Sequence, residues 1–222
     1  MNENEPRYDV IVVGAGNAAL CAALSAREQG ATVVVLEKAP PSAQGGNCSY
    51  TGGGFRFVHD GIEDLRSLLP DLTDREVANL SMGPYTAENF REHLTAVTHG
   101  DTDPELMEVL IAQSRPTIDW MHSKGVTWEL SDRRGAVAEA PSVIPSSVGL
   151  SAWRSGAGLV QMLTTACRRS GIDILYQTKM LRLMQDSRGG VCGVVAQDSD
   201  GVQEIHAGGV VLACGGFEAN PE

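Results

Sequence analysis

The segment Tyr8-Asp-Val-Ile-Val-Val-Gly-Ala-Gly-Asn-Ala-Ala19, followed by an alanine-rich run and then Val33-Val-Val-Leu-Glu37, leaves few folds open to this chain. Val10 to Val13 form an apolar run suited to a buried parallel strand, and Gly14 and Gly16 permit a tight turn. Asn17 to Gln29 is rich in helix formers whose alanine and leucine side chains can face a sheet. The order is strand, glycine turn, helix, strand, acid. Such a turn brings main-chain amides to a pyrophosphate at the positive end of the helix, where the first N–H groups lack partners. Glu37 ends the second strand about 20 residues on, where a carboxylate accepts hydrogen bonds from ribose hydroxyls. Together these features form a dinucleotide-binding fingerprint.

Val10 to Ala26 is almost wholly apolar, so a signal peptide is the rival reading, and its flanks reject it. Glu3, Glu5 and Asp9 stand where a basic region is needed, and two glycines and Asn17 interrupt the run. The same run is too polar and too short for a membrane-spanning helix. The 222 residues suffice for one domain and part of another. A net charge of −11 disfavours nucleic acid or an anionic membrane as the main partner, because both need a cationic face. Cys21, Cys48, Cys167, Cys192 and Cys214 are odd in number and widely spaced, which implies reduced thiols in a cytoplasm. The scattered histidines and cysteines imply no metal site.

Lys38 to Asp60 is a glycine-rich loop too long to be a mere connector. From Gly61 to Gly125 the pattern predicts helices over Ile62–Leu69, Asp74–Met82, Ala87–Val97 and Pro104–Lys124, the last broken or kinked by Pro116. A short strand over Val126–Leu130 and a loop over Ser131–Trp153 follow. Gly158–Arg169 reads as a helix and Ile172–Tyr176 as a parallel strand. Met180–Gln185, Val191–Gln197 and Val202–His206, separated by Asp- and Gly-rich turns, read as an antiparallel meander. Gly209-Val-Val-Leu-Ala-Cys-Gly-Gly216 is then a separate apolar strand ending in paired glycines. The domain organisation expected is residues 1–60 as the first part of a cofactor domain, 61–153 as a helical insertion, and 154–222 as the cofactor domain continued. A helix or loop is expected to continue past Glu222, which makes the chain part of a longer protein.

The segment Gly45-Gly-Asn-Cys-Ser-Tyr-Thr-Gly-Gly-Gly-Phe-Arg56 narrows the cofactor. Its glycines let main-chain amides approach a planar or anionic ligand, and Asn47, Cys48 and Thr51 supply short polar groups. This suits a flavin better than a nicotinamide, while a purely structural loop is the plain alternative.

With Gly14-x-Gly16-x-x-Ala19, Glu37-Lys38 and Val210-Val-Leu-Ala-Cys-Gly-Gly216, these motifs resemble the flavoprotein family of fumarate reductase and succinate dehydrogenase. They are most similar to its tricarballylate dehydrogenase and precorrin-3B synthase branch. The resemblance runs along the whole chain and covers about the first half of a full family member. It implies an α/β, Rossmann-like FAD-binding domain with a parallel central sheet and a small antiparallel meander. Gly14, Gly16 and Ala18 would hold the pyrophosphate, Glu37 the adenosine ribose, and Asn47, Cys48, Thr51, Gly52 and Gly53 the ribityl and flavin region. The main chain of Met180 would touch adenine, and Ala213 and Gly215 would lie beneath the cofactor. Asn17, Lys38 and Gly46 complete the expected cofactor-binding set.

Two departures from the family stand out. Cys48 replaces the common Ser or Thr, and Arg154-Ser-Gly-Ala-Gly158 replaces a triple glycine. With no histidine at the glycine-loop position, noncovalent FAD is expected. The activity implied is hydride transfer between flavin N5 and a substrate C–C bond beside a carboxylate, with a separate electron acceptor or donor. Arg56, Arg91, Arg133, Arg134 and Arg154 match no catalytic position, so no catalytic residue is named. A non-catalytic nucleotide-binding module and an NAD-dependent dehydrogenase are the alternatives.

Overall fold

The computed structural model describes residues 7–131, 142–143, 147 and 149–216. The chain divides into two compact units, Met1–Thr51 with Gly156–Glu222, and Gly52–Ser155. Arg133 and Arg134, and much of the expected 131–153 loop, lie outside the described residues.

In the first unit, β1 (Arg7–Val13) leads through the glycine turn into α1 (Asn17–Glu28) and then β2 (Val33–Leu36). β1 and β2 are parallel, with Ile11 beside Val34 and Val13 beside Leu36. Side chains alternate between sheet faces, so these four share one face. They pack there with Val194, Ala196, Ile205 and Ala207 as a buried cluster. Val12 and Val35 alternate to the other face and are fully buried too. Burial on both faces explains why these strands are continuous Val and Ile runs rather than polar alternations. β8 (Asp173–Leu175), entered from α6 (Ser155–Arg169), extends the parallel sheet beyond β2. α6 begins at Ser155, three residues before the expected start.

β9 (Lys179–Gln185), β10 (Val191–Asp198) and β11 (Gly201–Leu212) form the meander, and the sheet order is β8-β2-β1-β11-β10-β9. One expectation is corrected here. Val202–His206 and the returning apolar strand are a single strand, β11, because Gly208 and Gly209 do not interrupt the ladder. Its first half pairs antiparallel with β10, from Gly201 beside Asp198 to His206 beside Gly193. Its second half pairs parallel with β1, through Leu212 beside Val13. The strand thus changes neighbours along its length, which sequence periodicity does not record.

The second unit holds β3 (Gly54–Phe55), α2 (Ile62–Leu65), α3 (Asp74–Asn79), β4 (Leu80–Ser81), α4 (Ala87–Val97), α5 (Pro104–Ser123), β5 (Trp128–Leu130), β6 (Ser142–Val143) and β7 (Leu150–Ala152). Four expectations change. The first helix is shortened to α2 with a 3-10 turn over Arg66–Leu68. The helix expected to reach Met82 stops at Asn79, because Leu80 is extended and pairs with Ser142. Lys38–Asp60 is not all loop: it holds 3-10 turns over Pro41–Ala43 and Gly46–Tyr50 and the strand β3. The supposed loop before Trp153 contains β7, the middle strand between β3 and β5.

α5 runs through Pro116 as one helix. Proline there withholds its own N–H and crowds the carbonyl four residues back, and buried Ile111, Ile118 and Met121 hold the flanking turns. Tyr85, Phe90 and Ile111 form this unit's aromatic-rich cluster, with Val58, Leu94 and Met107 against it.

Candidate cofactor site

The turn after β1 is built by close approach. Gly14 has φ +106°, and a Cβ there would stand 2.5 Å from the carbonyl oxygen of Ala213. The N–H of Ala213 in turn donates to Val13 O at 2.9 Å, so the end of β11 lies directly against the turn. Only glycine satisfies both the backbone angle and the space. Gly16 caps α1 with extended backbone and no side-chain hydrogen bond, and the first turn of α1 carries no acid. The start of this helix thus has no side-chain cap and no acid in its first turn.

Glu37 closes the same turn from the end of β2. Its side chain is buried, Oε2 accepts from Ala15 N–H at 2.9 Å, and Oε1 accepts from Ala39 N–H at 2.8 Å. A carboxylate has about four acceptor positions, so two remain for hydroxyl donors. The backbone carbonyl of Glu37 also accepts from Thr178 N–H at 2.9 Å. That bond ties the residue before β9, two positions ahead of half-buried Met180, to the main chain of Glu37. Lys38 is exposed.

Gly45 and Gly46 have φ of +95° and +50°, and the 3-10 turn Gly46–Tyr50 follows. Cys48 N–H donates to Gly45 O at 3.1 Å, and Thr51 Oγ1 donates to Cys48 O at 2.9 Å. Asn47 and Thr51 are exposed. The backbone N–H of Asn17 donates to the Cys48 thiol, which joins this loop to the start of α1. Burial pushes the Cys48 thiol up, while the Asn17 bond opposes that. Cys21, whose thiol donates to Asn17 Oδ1 at 3.5 Å, is pushed up to about 12, first by burial and then by its neighbour Cys48.

Ala18 is exposed on the first turn of α1, and Gly215 is exposed with φ +76° just past β11. Gly52 and Gly53 belong to the second unit, where the carbonyl of buried Gly53 accepts from Ala152 N–H at 2.8 Å. Of the arginines, Arg91 is held by Glu88 and Glu108, Arg56 is exposed, and Arg154 stacks on Trp153.

Two residues escaped the sequence reading: Ala15, which donates to Glu37, and Thr178, which ties β9 to it. Gly156, inside the Arg154–Gly158 segment that departs from the family, packs on the loop. For Ala15 the available signal was its position between the two turn glycines. For Gly156 it was a glycine placed where a helix begins.

The chemistry of this set fits a dinucleotide. A helix start without a side-chain cap suits a pyrophosphate, and a buried carboxylate with spare acceptors suits a ribose. A Cβ on Gly46 or Gly215 would meet nothing within 4 Å, so main chain there is open to a ligand. Fold and site together define a dinucleotide-binding α/β protein.

The FAD_binding_2 family, described as an FAD binding domain, matches residues 9–222, and the chain belongs to that family. Its cofactor is FAD. Fumarate reductase (cytochrome) from Shewanella frigidimarina is 30% identical over 218 residues, covering 96% of this chain and 34% of that protein. Urocanate reductase from Eggerthella lenta is 28% identical over 225 residues, covering 96% of this chain and 32% of that protein. The open conformation of a flavocytochrome c3 fumarate reductase superposes with a TM-score of 0.72 at 27% identity, covering 97% of this chain and 35% of that one. The chain thus spans about a third of the length of these relatives. Among the described residues no helix is long and apolar enough to cross a membrane.

Proposed function

We propose that this chain is the cofactor-holding part of a cytoplasmic flavin-dependent oxidoreductase acting on a small carboxylate, with tricarballylate as the candidate substrate. FAD, held noncovalently, would supply hydride transfer to or from a substrate C–C bond beside the carboxylate. The residues of this chain bind and orient. Gly14, Gly16 and Ala18 offer main chain to the pyrophosphate, with Asn17 beside them, and Glu37, beside Lys38, takes the ribose. Gly46, Asn47, Cys48, Thr51, Gly52 and Gly53 line the ribityl and flavin region, Met180 meets adenine, and Ala213 and Gly215 lie beneath. Residues 1–60 and 154–222 would serve as the cofactor domain and 61–153 as an insertion. A separate electron acceptor or donor completes the cycle.

The observation that carries this reading is the buried Glu37 carboxylate bonded to Ala15 N–H in the glycine turn, 2.9 Å apart. It holds a carboxylate with spare acceptor positions beside the glycine turn, which supports a ribose next to a pyrophosphate. The test is turnover by the longer protein that contains this chain, loaded with FAD. Tricarballylate-dependent reduction of an artificial acceptor, with no activity on alcohols, supports the substrate class. Activity confined to uncharged substrates refutes it.

A further inference from the structure

We propose that Gly156 positions the 45–51 cofactor loop, and that its lack of a side chain is a condition for tight FAD binding. The proposal rests on reading this loop as part of the FAD site.

Gly156 lies buried in the first turn of α6 and donates its N–H to Thr51 O at 3.0 Å. A Cβ on it would stand 1.9 Å from the carbonyl oxygen of Cys48 and 2.4 Å from Thr51 Oγ1. Real carbon atoms do not approach so closely, so the loop would have to move by about 1 Å or more. That carbonyl cannot yield alone. It already accepts from Thr51 N–H at 3.2 Å and from Thr51 Oγ1 at 2.9 Å, the two bonds that close the turn.

The same helix makes a second contact one turn on. A Cβ at Gly45 would come within 2.9 and 3.0 Å of the Val160 methyl groups. Residues four apart share a helix face, so Gly156 and Val160 form one wall against both ends of the loop. Cys48 also takes the Asn17 N–H at the start of α1. Moving the Cys48 main chain therefore disturbs the loop and the pyrophosphate turn together. Gly156 acts through Cys48 and Thr51 and touches no ligand itself.

The experiment compares FAD titrations, by flavin fluorescence, of the full chain carrying Gly156→Ala, Val160→Ala or the control Gly209→Ala. A Cβ at Gly209 would meet nothing within 4 Å. Urea unfolding and flavin circular dichroism accompany each titration. Gly156→Ala is expected to weaken FAD binding about 10- to 100-fold, the scale of one or two lost hydrogen bonds, and to alter the flavin dichroism. Val160→Ala, which keeps the fold if Gly156→Ala does not, is expected to weaken it about 3- to 10-fold, from loss of part of the wall. Gly209→Ala should match wild type. A folded Gly156→Ala chain that binds FAD as wild type does overturns the proposal, as does unchanged affinity in Val160→Ala. A wild-type chain that binds no FAD overturns the underlying reading and the proposal with it.

Discussion

The Glu37 carboxylate accepts a hydrogen bond from the backbone N–H of Ala15 at 2.9 Å, tying the end of β2 to the turn after β1. Its other oxygen accepts from Ala39 N–H at 2.8 Å, so the acid holds two buried or half-buried donors. Glu37→Gln sets an NH2 group against one of them. The expected cost is about 1–3 kcal/mol in urea unfolding, because a buried donor is left unpaired. An unchanged unfolding midpoint would show that this bond does not organise the turn.

Cys21 and Cys167 have thiols pushed up to about 12, in both cases by burial first and then by a neighbouring cysteine. Folding thus favours their neutral form. Their contribution to stability is fully present below the ordinary thiol value of 9.0 and is lost as pH rises from there toward 12. Each thiol contributes a slope of up to about 1.4 kcal/mol per pH unit. Unfolding midpoints measured from pH 8 to 11 should fall more steeply for wild type than for Cys21→Ala/Cys167→Ala. Parallel curves would contradict the assignment.

Asp103 caps α5, its Oδ1 accepting from Glu105 N–H at 2.9 Å and Leu106 N–H at 3.1 Å. Pro104 follows at the first helical position. Asp103→Ala should lower stability by about 1 kcal/mol and Asp103→Ser by less, since serine also caps. Thermal unfolding followed by circular dichroism gives the comparison.

Gly193 has φ +151°, and a Cβ there would stand 2.2 Å from Ile205 O on the paired strand. Gly193→Ala should therefore separate β10 from β11 locally and destabilise by about 2 kcal/mol or more. Hydrogen exchange should accelerate at Val194 and Ile205 before it does at Ile11 in β1. Uniform exchange rates would show that the meander and the parallel strands open together.

The β1-α1-β2 unit was legible because every determinant is local: an apolar run, two glycines, an alanine-rich helix and a terminal acid within 30 residues or so. β3, β4 and β7 were not, because strands of two or three residues exist only through partners distant in sequence. The start of α6 was hidden for another reason. Arg154 and Ser155 adopt φ of +61° and +63°, which their residue types do not announce. At the site, Glu37 and the glycines were visible as types in sequence order. That Cys48 reaches Asn17, and that Gly156 faces the Cys48 carbonyl, depends on how α6 packs.

On the proposed function, Gly14 to Ala18 and Glu37 seat FAD rather than a nicotinamide dinucleotide. Equilibrium titration of the full chain with FAD, and then with NAD, tests it directly. The expected result is saturable quenching of flavin fluorescence at about one FAD per chain, weakened at least about 10-fold by Glu37→Ala and not displaced by excess NAD. Saturable NAD binding with no FAD uptake, or FAD binding untouched by Glu37→Ala, would contradict it.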